Sequence, residues 1–234
     1  MGSIAENIAS VQQRIRAACE RSGRRSEDVT LVAVSKTKPA DMVREAMQTA
    51  GILDFGENKP QELRDKCDIL PSEIRWHMIG NLQKNKVKYV VPRAVLIHSV
   101  GSKDLAKAID KEAAKEGKIA QILVEVNMAH EASKGGVSPE ECPDLVREIA
   151  ALENLRIRGL MTVAPATERA EDNRVYFRGL RDLAVDIDAE NIDNVSMCEL
   201  SMGMSGDFEI AVEEGATLVR VGSSIFGERD YSIS

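Results

Sequence analysis

Lys36 has the chemistry and the sequence position of a Schiff-base lysine. It comes two residues after the short β-branched run Val29–Val34, which is typical of a buried strand. Partial burial of an amine at the end of such a strand lowers its pKa and makes it a nucleophile toward carbonyl groups. Lys38 is a weaker candidate because it lies further out, next to Pro39. A surface lysine in a loop is the ordinary alternative for either residue.

Two loops rich in glycine and serine near the C-terminus could bind an anion. They are Leu200–Asp207, which contains Ser201, Gly203 and Met204, and Arg220–Gly227, which contains Gly222 and Ser223. Each loop follows an apolar run and precedes a predicted helix, so backbone N–H groups at the helix start would face a ligand. Turn chemistry alone explains one such loop, but the pair favours a phosphate site.

Arg220 stands where a charge is costly, between Val219 and Val221 near the end of an apolar run. A buried guanidinium needs partners because it does not lose its proton. One interpretation is an internal salt bridge to Glu199 or Glu57. The other is a donor that points into a binding site, toward an acceptor on the ligand.

Three further features each have an ordinary structural alternative. Asn58 could donate to a ligand oxygen, but on its own it is better explained as the N-cap of a helix predicted near Pro60. His77 lies inside a strand-like run, so it is expected to be packed and hydrogen-bonded. The loop Asn127–Gly136 is either a gate over the site or a solvated charged loop.

These candidates follow strands in a regular alternation of strand-like and helix-like segments. The predicted strands are Val29–Val34, Ile52–Phe55, Ile74–Ile79, Ala94–Val100, Ile119–Val126, Leu155–Met161, Val195–Leu200 and Thr217–Val221. Helices are predicted between them, for instance at Ser102–Glu116, Pro139–Leu152 and Glu168–Asp188. Eight strand–helix units in 234 residues favour an α/β fold, a single closed (β/α)₈ TIM barrel with parallel strands.

An open doubly wound sheet is the competing fold. It would require a first turn of the G-x-G-x-x-G type, and the segment Val34–Pro39 contains no glycine. Residues 3–22 carry an apolar stripe at helical spacing, so residues 1–25 are predicted to form an extra helix packed on the barrel. No linker divides the rest, and residues 1–234 are predicted to be one domain. In such barrels the site lies at the carboxyl ends of the strands.

The composition excludes some classes of partner. The 31 basic and 38 acidic residues give a formal charge of −7, so there is no electrostatic case for nucleic acid or an anionic membrane. A small anionic ligand remains compatible with that charge. The four cysteines have no metal-ligand spacing. With no signal peptide and no long apolar run, they indicate a reducing, cytoplasmic compartment.

The candidate residues together describe a site for pyridoxal 5'-phosphate (PLP). The loops after strands seven and eight are the usual phosphate site of this barrel. A Schiff-base lysine and an arginine suited to a ring nitrogen complete the set. On the residues alone a different phosphorylated metabolite remains open, although it would leave Lys36 without a purpose.

Several segments resemble the motifs of the YggS/PROSC family of PLP-binding proteins, also called PLP homeostasis proteins. They are Ala33–Pro39, Phe55–Asn58, Trp76–Gly80 with Leu82-Gln83, Arg158–Met161, Leu200–Ser205, Val219–Gly227 and Arg229–Tyr231. The segments stand in order over nearly the whole chain, so chance agreement does not explain them. The resemblance implies a barrel like the N-terminal domain of alanine racemase, with PLP held as a Schiff base.

The resemblance also implies which residues bind PLP. They are Lys36, Asn58, Ser201, Gly203, Met204, Arg220, Gly222 and Ser223. By the family pattern the lysine carries the cofactor, the arginine faces the pyridine nitrogen and the asparagine lies near the ring. The phosphate is held by Ser201, Gly222 and Ser223, and Gly203 and Met204 contribute backbone groups.

The chain departs from the family pattern directly after Asn58. Lys59-Pro60 stands where family members usually carry a Tyr-Val-type pair. The proline is expected to set the start of the next helix differently. Lys59 is expected to add a charge near the mouth of the barrel.

The family has no established catalytic turnover and is linked to PLP supply and amino-acid balance. The resemblance therefore implies a non-catalytic carrier or regulator, whose partners would be PLP-requiring apoenzymes and small amines. The alternative is a PLP-dependent racemase with weak activity. Against it, an arginine at the pyridine nitrogen weakens the electron sink, and racemisation needs a base on each face of the substrate. We expect a carrier that is a monomer or a weak dimer.

Overall fold

The strands form a closed barrel of eight parallel strands in sequence order. The computed structural model describes residues 2–131 and 134–227. The strands are β1 (Thr30–Val34), β2 (Asp54–Glu57), β3 (Arg75–Met78), β4 (Ala94–Val100), β5 (Ala120–Glu125), β6 (Leu155–Met161), β7 (Val195–Met204) and β8 (Leu218–Val221). Because β1 pairs with both β2 and β8, the sheet is closed. The predicted (β/α)₈ barrel is confirmed, and the open doubly wound alternative is wrong.

Helices alternate with the strands and cover the outside of the barrel. Within the described ranges they are α1 (Ile4–Ser22), α2 (Ala40–Ala50), α3 (Pro60–Cys67), α4 (Val87–Val90), α5 (Lys103–Lys115), α6 (Cys142–Ala150), α7 (Arg174–Asp188), α8 (Phe208–Glu213) and α9 (Ser223–Phe226). Short 3₁₀ turns lie at Ser26–Asp28, Lys84–Lys86 and Ala170–Asn173. Among the described residues, no helix has the length and apolar character needed to cross a bilayer.

Successive residues of each strand point alternately outward to the helices and inward to the barrel interior. In β1, Leu31 belongs to the large apolar core between strands and helices, whereas Val32 belongs to a small inner cluster. The same alternation in β8 places Val219 in the outer core and turns Arg220 inward. The barrel interior is therefore part apolar and part polar.

The predicted N-terminal helix is α1, and it packs on α2, α8 and α9. It begins with a capping box, in which Ser3 and Glu6 each accept a hydrogen bond from the other's backbone N–H. It ends at Gly23, whose φ of 68° closes the last turn. Arg14 on its outer face pairs with Glu209 of α8 at 2.8 Å.

Two strands differ from their predicted bounds by more than one residue. β7 continues four residues beyond the predicted end at Leu200 because Ser201 and Met204 still pair with β8. β2 is displaced by two residues, from Ile52–Phe55 to Asp54–Glu57, because the later segment is the one that pairs with β3. As a consequence Ser201 lies inside a strand and not in a loop.

Candidate functional site

A cavity of about 440 Å³ opens at the carboxyl ends of the strands. Its volume is typical of a site for a small molecule. Six of the eight residues predicted to bind PLP line it, namely Lys36, Asn58, Met204, Arg220, Gly222 and Ser223. The barrel thus brings together residues from both halves of the chain, as its topology requires.

The described lining of the cavity is basic. It contains Lys36, Lys38 and Arg220 and no aspartate or glutamate. The chain as a whole carries a formal charge of −7, so this local charge is opposite in sign to the net charge. Such a cavity attracts a small anionic ligand even though the protein is acidic.

The backbone on both sides of Lys36 is held by hydrogen bonds to side chains. Before it, the carbonyl of the buried Ser35 accepts a hydrogen bond from Lys66 Nζ at 2.7 Å. After it, Thr37 adopts a φ of 63°, and its N–H donates to Glu62 Oε1 at 2.7 Å. Lys36 is therefore presented, half-buried, on a segment whose backbone conformation is fixed.

The residues that hold this segment form a charged cluster, the Glu57 cluster, made of Ser35, Glu57, Glu62 and Lys66. Lys66 Nζ lies 2.6 Å from Glu57 Oε1 and 2.9 Å from Glu62 Oε1, and Ser35 Oγ donates to Glu57 Oε1 at 2.7 Å. Burial raises the pKa of Glu57, whereas the charge of Lys66 acts to lower it. The charge of Glu57 therefore depends on the ammonium of Lys66.

The loops after β7 and β8 are tied together at the cavity wall. Ser205 Oγ accepts hydrogen bonds from the N–H groups of Gly222, at 3.2 Å, and of Ser224, at 3.5 Å. Gly222 also lies close to β1, since a Cβ on it would stand 3.2 Å from the Val34 carbonyl oxygen. Because Ser205 accepts from two donors and lines the cavity, its own hydroxyl proton is available to a ligand oxygen.

Arg220 lies in the barrel interior beneath the cavity and is 4% exposed. Its Nη1 donates to Ser201 Oγ at 2.5 Å and its Nη2 to the Thr162 carbonyl at 2.9 Å. Burial lowers the pKa of Arg220 to about 10, and the carboxylates of Asp207 and Glu125 act in the opposite direction. On the side of the barrel interior the guanidinium donates to neutral oxygens, and on its opposite side it lines the cavity.

The suggested salt bridge of Arg220 to Glu199 or Glu57 is wrong. Glu199 Oε2 accepts from Thr217 Oγ1 at 2.6 Å, and Glu57 is bound to Lys66. Within residues 2–131 and 134–227, the hydrogen bonds of the Arg220 guanidinium go to neutral oxygens. The interpretation as a donor that faces the site therefore fits better.

Asn58 lines the cavity and has a buried side-chain oxygen with no hydrogen-bond partner among the described residues. Its interpretation as a helix N-cap is wrong, because α3 has Lys59 at the N-cap position and Pro60 as its first residue. Lys59-Pro60 thus forms the start of α3. Asn58 is left beside the cavity with an unused acceptor.

Ser201 and Gly203 are not among the lining residues of the cavity. Ser201 is fully buried and binds His98 and Arg220 in the barrel interior. Gly203 has a φ of 88°, and a Cβ there would stand 2.5 Å from the Ala211 Cβ, so glycine lets the end of β7 pack closely against α8. The serine of this loop that reaches the cavity is Ser205, four residues after the one singled out in the sequence.

The match with known sequences covers nearly the whole chain. The family described as alanine racemase, N-terminal domain, matches residues 4–230. The pyridoxal phosphate homeostasis protein of Aquifex aeolicus is 45% identical over 97% of this chain and 98% of its own length. The chain belongs to the pyridoxal phosphate homeostasis protein family. The family resemblance drawn from the motifs is therefore confirmed.

Solved structures agree with this membership. PipY of Synechococcus elongatus, solved with PLP bound, is 35% identical, with a TM-score of 0.82 over 96% of this chain and all of its own. Alanine racemase from Clostridium difficile is 16% identical, with a TM-score of 0.72, and this chain covers 57% of its length. At that identity the likeness shows the fold alone.

The loop at Asn127–Gly136 is described on either side of Ala132 and Ser133, which lie outside the described residues. Asn127 Oδ1 accepts from the Glu131 N–H at 3.2 Å, and Asn127 Nδ2 donates to the Glu131 carbonyl at 2.9 Å. Lys134 Nζ donates to the carbonyl of Val163, a residue of the cavity lining, at 3.2 Å. The loop therefore contacts the cavity wall, and its role as a gate stays a prediction.

Proposed function

We propose that this protein is a carrier that binds PLP reversibly as a Schiff base on Lys36. The observation that carries the proposal is the basic, acid-free lining of the cavity, with Lys36 on one wall and the tied loops after β7 and β8 on another. The names of its relatives and the PLP-bound PipY structure support the choice of cofactor.

The residues present fit PLP at each part of the cofactor. The phosphate would lie against the hydroxyls of Ser205 and Ser223 and the backbone of Gly222, all of which line the cavity. Arg220 would donate to the pyridine nitrogen. The partnerless oxygen of Asn58 would accept from a donor near the ring. We thus assign to Ser205 the phosphate contact that the sequence pattern assigned to Ser201, because Ser201 faces Arg220.

PLP, when bound, supplies an aldehyde with which a primary amine forms a Schiff base. Lys36 provides that amine, and the Glu57 cluster fixes the backbone that presents it. Arg220 is a donor and not an acid, because a guanidinium keeps its proton even where burial lowers its pKa to about 10. The chain's residues therefore bind and orient the cofactor without supplying the protonated ring nitrogen that carbanion chemistry uses.

The racemase alternative has weaker support in the cavity. A second base would have to face the substrate opposite Lys36. Tyr89 lies in α4 and Tyr176 in α7, and neither is among the lining residues; Tyr231 lies outside the described residues. A carrier needs only exchange of the Lys36 Schiff base with an incoming amine, from a small molecule or an apoenzyme.

All four cysteines are thiols, which supports a reducing, cytoplasmic setting.

The first test compares the two lysines of the cavity. PLP-loaded protein should absorb in the visible range, and borohydride reduction followed by peptide mass spectrometry should place the label on Lys36. Lys36→Ala should lose both signals. Lys38→Ala is the matched control, because Lys38 lines the same cavity and its Nζ donates to the Phe226 carbonyl at 3.0 Å. A label on Lys38, or a protein that takes up no PLP, would overturn the proposal.

A second test separates carriage from catalysis. Loaded protein should transfer PLP to a PLP-requiring apoenzyme and should release it when a small amine is added. When it is mixed with an equal concentration of a single enantiomer of an amino acid, it should leave that enantiomer unconverted. Steady conversion to the other enantiomer, lost in Lys36→Ala, would favour the racemase.

The phosphate assignment predicts a selective loss in Ser205→Ala. Removing one hydrogen bond to a charged group weakens binding by about tenfold. We therefore expect PLP to bind about tenfold more weakly, whereas pyridoxal, which has no phosphate, should form its Schiff base as readily as before. Equal losses for the two compounds would mean that Ser205 supports the loop and does not bind the phosphate.

A further inference from the structure

A continuous chain of polar side chains crosses the barrel from Arg220 to Asp54 at its other end. Arg220 Nη1 lies 2.5 Å from Ser201 Oγ, and Ser201 Oγ lies 2.8 Å from His98 Nδ1. His98 Nε2 lies 2.9 Å from His77 Nδ1, and His77 Nε2 lies 3.0 Å from Asp54 Oδ1. All five residues are buried, and they come from β8, β7, β4, β3 and β2.

The two ends of the chain fix the direction of every hydrogen bond in it. Arg220 can only donate, so Ser201 Oγ accepts from it and must give its own proton to His98 Nδ1. His98 then carries its proton on Nε2 and donates to His77 Nδ1. His77 in turn carries its proton on Nε2 and donates to Asp54, which can only accept when ionised.

The ionised state of Asp54 is consistent with its surroundings. Burial acts to raise the pKa of Asp54, but hydrogen bonds from His77 and Arg75 outweigh it, and the pKa is lowered. At His98, burial lowers the pKa well below the usual range, and the charge of Arg220 acts in the same direction. A neutral imidazole at the middle of the chain follows.

The opposite direction leaves a proton without an acceptor. If His77 were doubly protonated, its Nδ1 would donate to His98, and His98 Nδ1 would donate to Ser201. Ser201 Oγ would then accept from both His98 and Arg220, and its hydroxyl proton would have no acceptor among the side chains that it contacts in the described residues. An unsatisfied buried donor costs about 1–3 kcal/mol, so the direction from Arg220 to Asp54 is favoured.

We propose that Ser201, His98 and His77 are positioning residues, a one-way hydrogen-bond relay that holds Arg220 toward the cavity and couples it to Asp54. Each acceptor of the relay faces Arg220, so the bond dipoles are aligned and stabilise its positive charge. The relay is not a proton path, because its first member, Arg220, does not release a proton. The inference rests on the proposed function only in taking Arg220 as a contact of PLP.

The tautomers can be read in the protein without PLP. Nitrogen-15 NMR of histidine-labelled protein near neutral pH should show His77 and His98 neutral, each with its proton on Nε2. His130 is 59% exposed and serves as the internal reference for a solvent-accessible histidine. Assignment follows from the loss of one signal in His98→Gln. A proton on Nδ1 of His98, or a doubly protonated His77, would overturn the relay.

A pair of substitutions at His98 tests its effect on the cofactor. In His98→Gln the amide can accept from Ser201 and donate to His77, whereas His98→Leu has a similar size and neither group. We expect His98→Leu to bind PLP about tenfold more weakly, with a shifted visible absorbance maximum, and His98→Gln to restore both. Urea unfolding of each variant verifies that it is folded.

The outcomes separate the relay from the proposed function. If the wild type takes up no PLP, the proposed function fails, and the tautomers still decide the relay. If the wild type binds PLP and His98→Leu keeps its affinity and absorbance, the relay does not position Arg220. Equal losses in the leucine and glutamine variants would also overturn it, since shape and not hydrogen bonding would then matter. Should His98→Leu fail to fold, Ser201→Ala replaces it with the same expected loss.

Discussion

Replacing Gly159 with alanine is expected to lower the free energy of unfolding by at least about 4 kcal/mol, which places it among the most damaging single substitutions. A Cβ at this position would stand 1.8 Å from the carbonyl oxygen of Glu199 and 2.7 Å from its carbonyl carbon. Gly159 pairs directly with Glu199 where β6 meets β7, and its φ is 151°. Because the obstacle is backbone, β6 and β7 must move apart at this pair.

The matched control is Gly51→Ala at the end of α2. Gly51 has a φ of 65°, and a Cβ added there would have no atom of the described residues within 4 Å, so only the left-handed conformation is penalised. That penalty is about 1–2 kcal/mol. Urea denaturation followed by far-ultraviolet circular dichroism measures both losses. If Gly159→Ala cost no more than Gly51→Ala, the contact with Glu199 would not control the pairing of β6 and β7.

The architecture could be predicted because each strand and helix has a local signature. Short apolar runs separated by amphipathic segments predict the eight units, and their number predicts closure. The bounds of a strand depend on its neighbours instead. β7 runs on to Met204 because β8 offers Ser201 and Met204 pairing partners, and no local pattern in Leu200–Asp207 shows this.

The site could be predicted only where its residues follow strands. Lys36, Gly222 and Ser223 stand at strand ends, and the cavity lies there. The family resemblance implies Ser201 as a phosphate contact, but the longer β7 turns it into the interior and leaves Ser205 at the mouth. Sequence reasoning missed the relay residue His98. The sequence indicates only that His98 points inward from β4. Its partner on β7, Ser201, comes close to it only when the barrel closes.

The Glu57 cluster is a further feature that sequence reasoning missed. Glu57 and Lys66 are nine residues apart, and neither helix spacing nor strand alternation pairs them. They meet because β2 ends at Glu57 and α3 folds back across it. The cluster holds the segment that carries Lys36, so substitutions in it test how the fold supports the site.

Replacing Lys66 with methionine is expected to lower the free energy of unfolding by about 3–5 kcal/mol near pH 8, because it leaves a buried carboxylate without its counter-ion. The pKa of Glu57 is already raised by burial, and loss of Lys66 removes the charge that lowers it. A carboxyl group whose pKa is higher in the folded than in the unfolded protein favours the folded state at low pH. That contribution is lost as the pH rises through the folded-state pKa. The loss in Lys66→Met should therefore be smaller near pH 5 than near pH 8.

The double variant Glu57→Gln/Lys66→Met should recover most of the stability near pH 8, since it removes the uncompensated charge together with its partner. Lys115→Met is the surface control. Lys115 pairs with Glu112 at 2.7 Å but is 59% exposed, so its loss should lie within about 0.5 kcal/mol of zero. If the double variant were as unstable as Lys66→Met at both pH values, the cost would come from the lost bond to the Ser35 carbonyl and not from the charge of Glu57. In that case the cluster would hold the Lys36 segment by hydrogen bonding alone, and PLP binding in the double variant should fall with that of Lys66→Met.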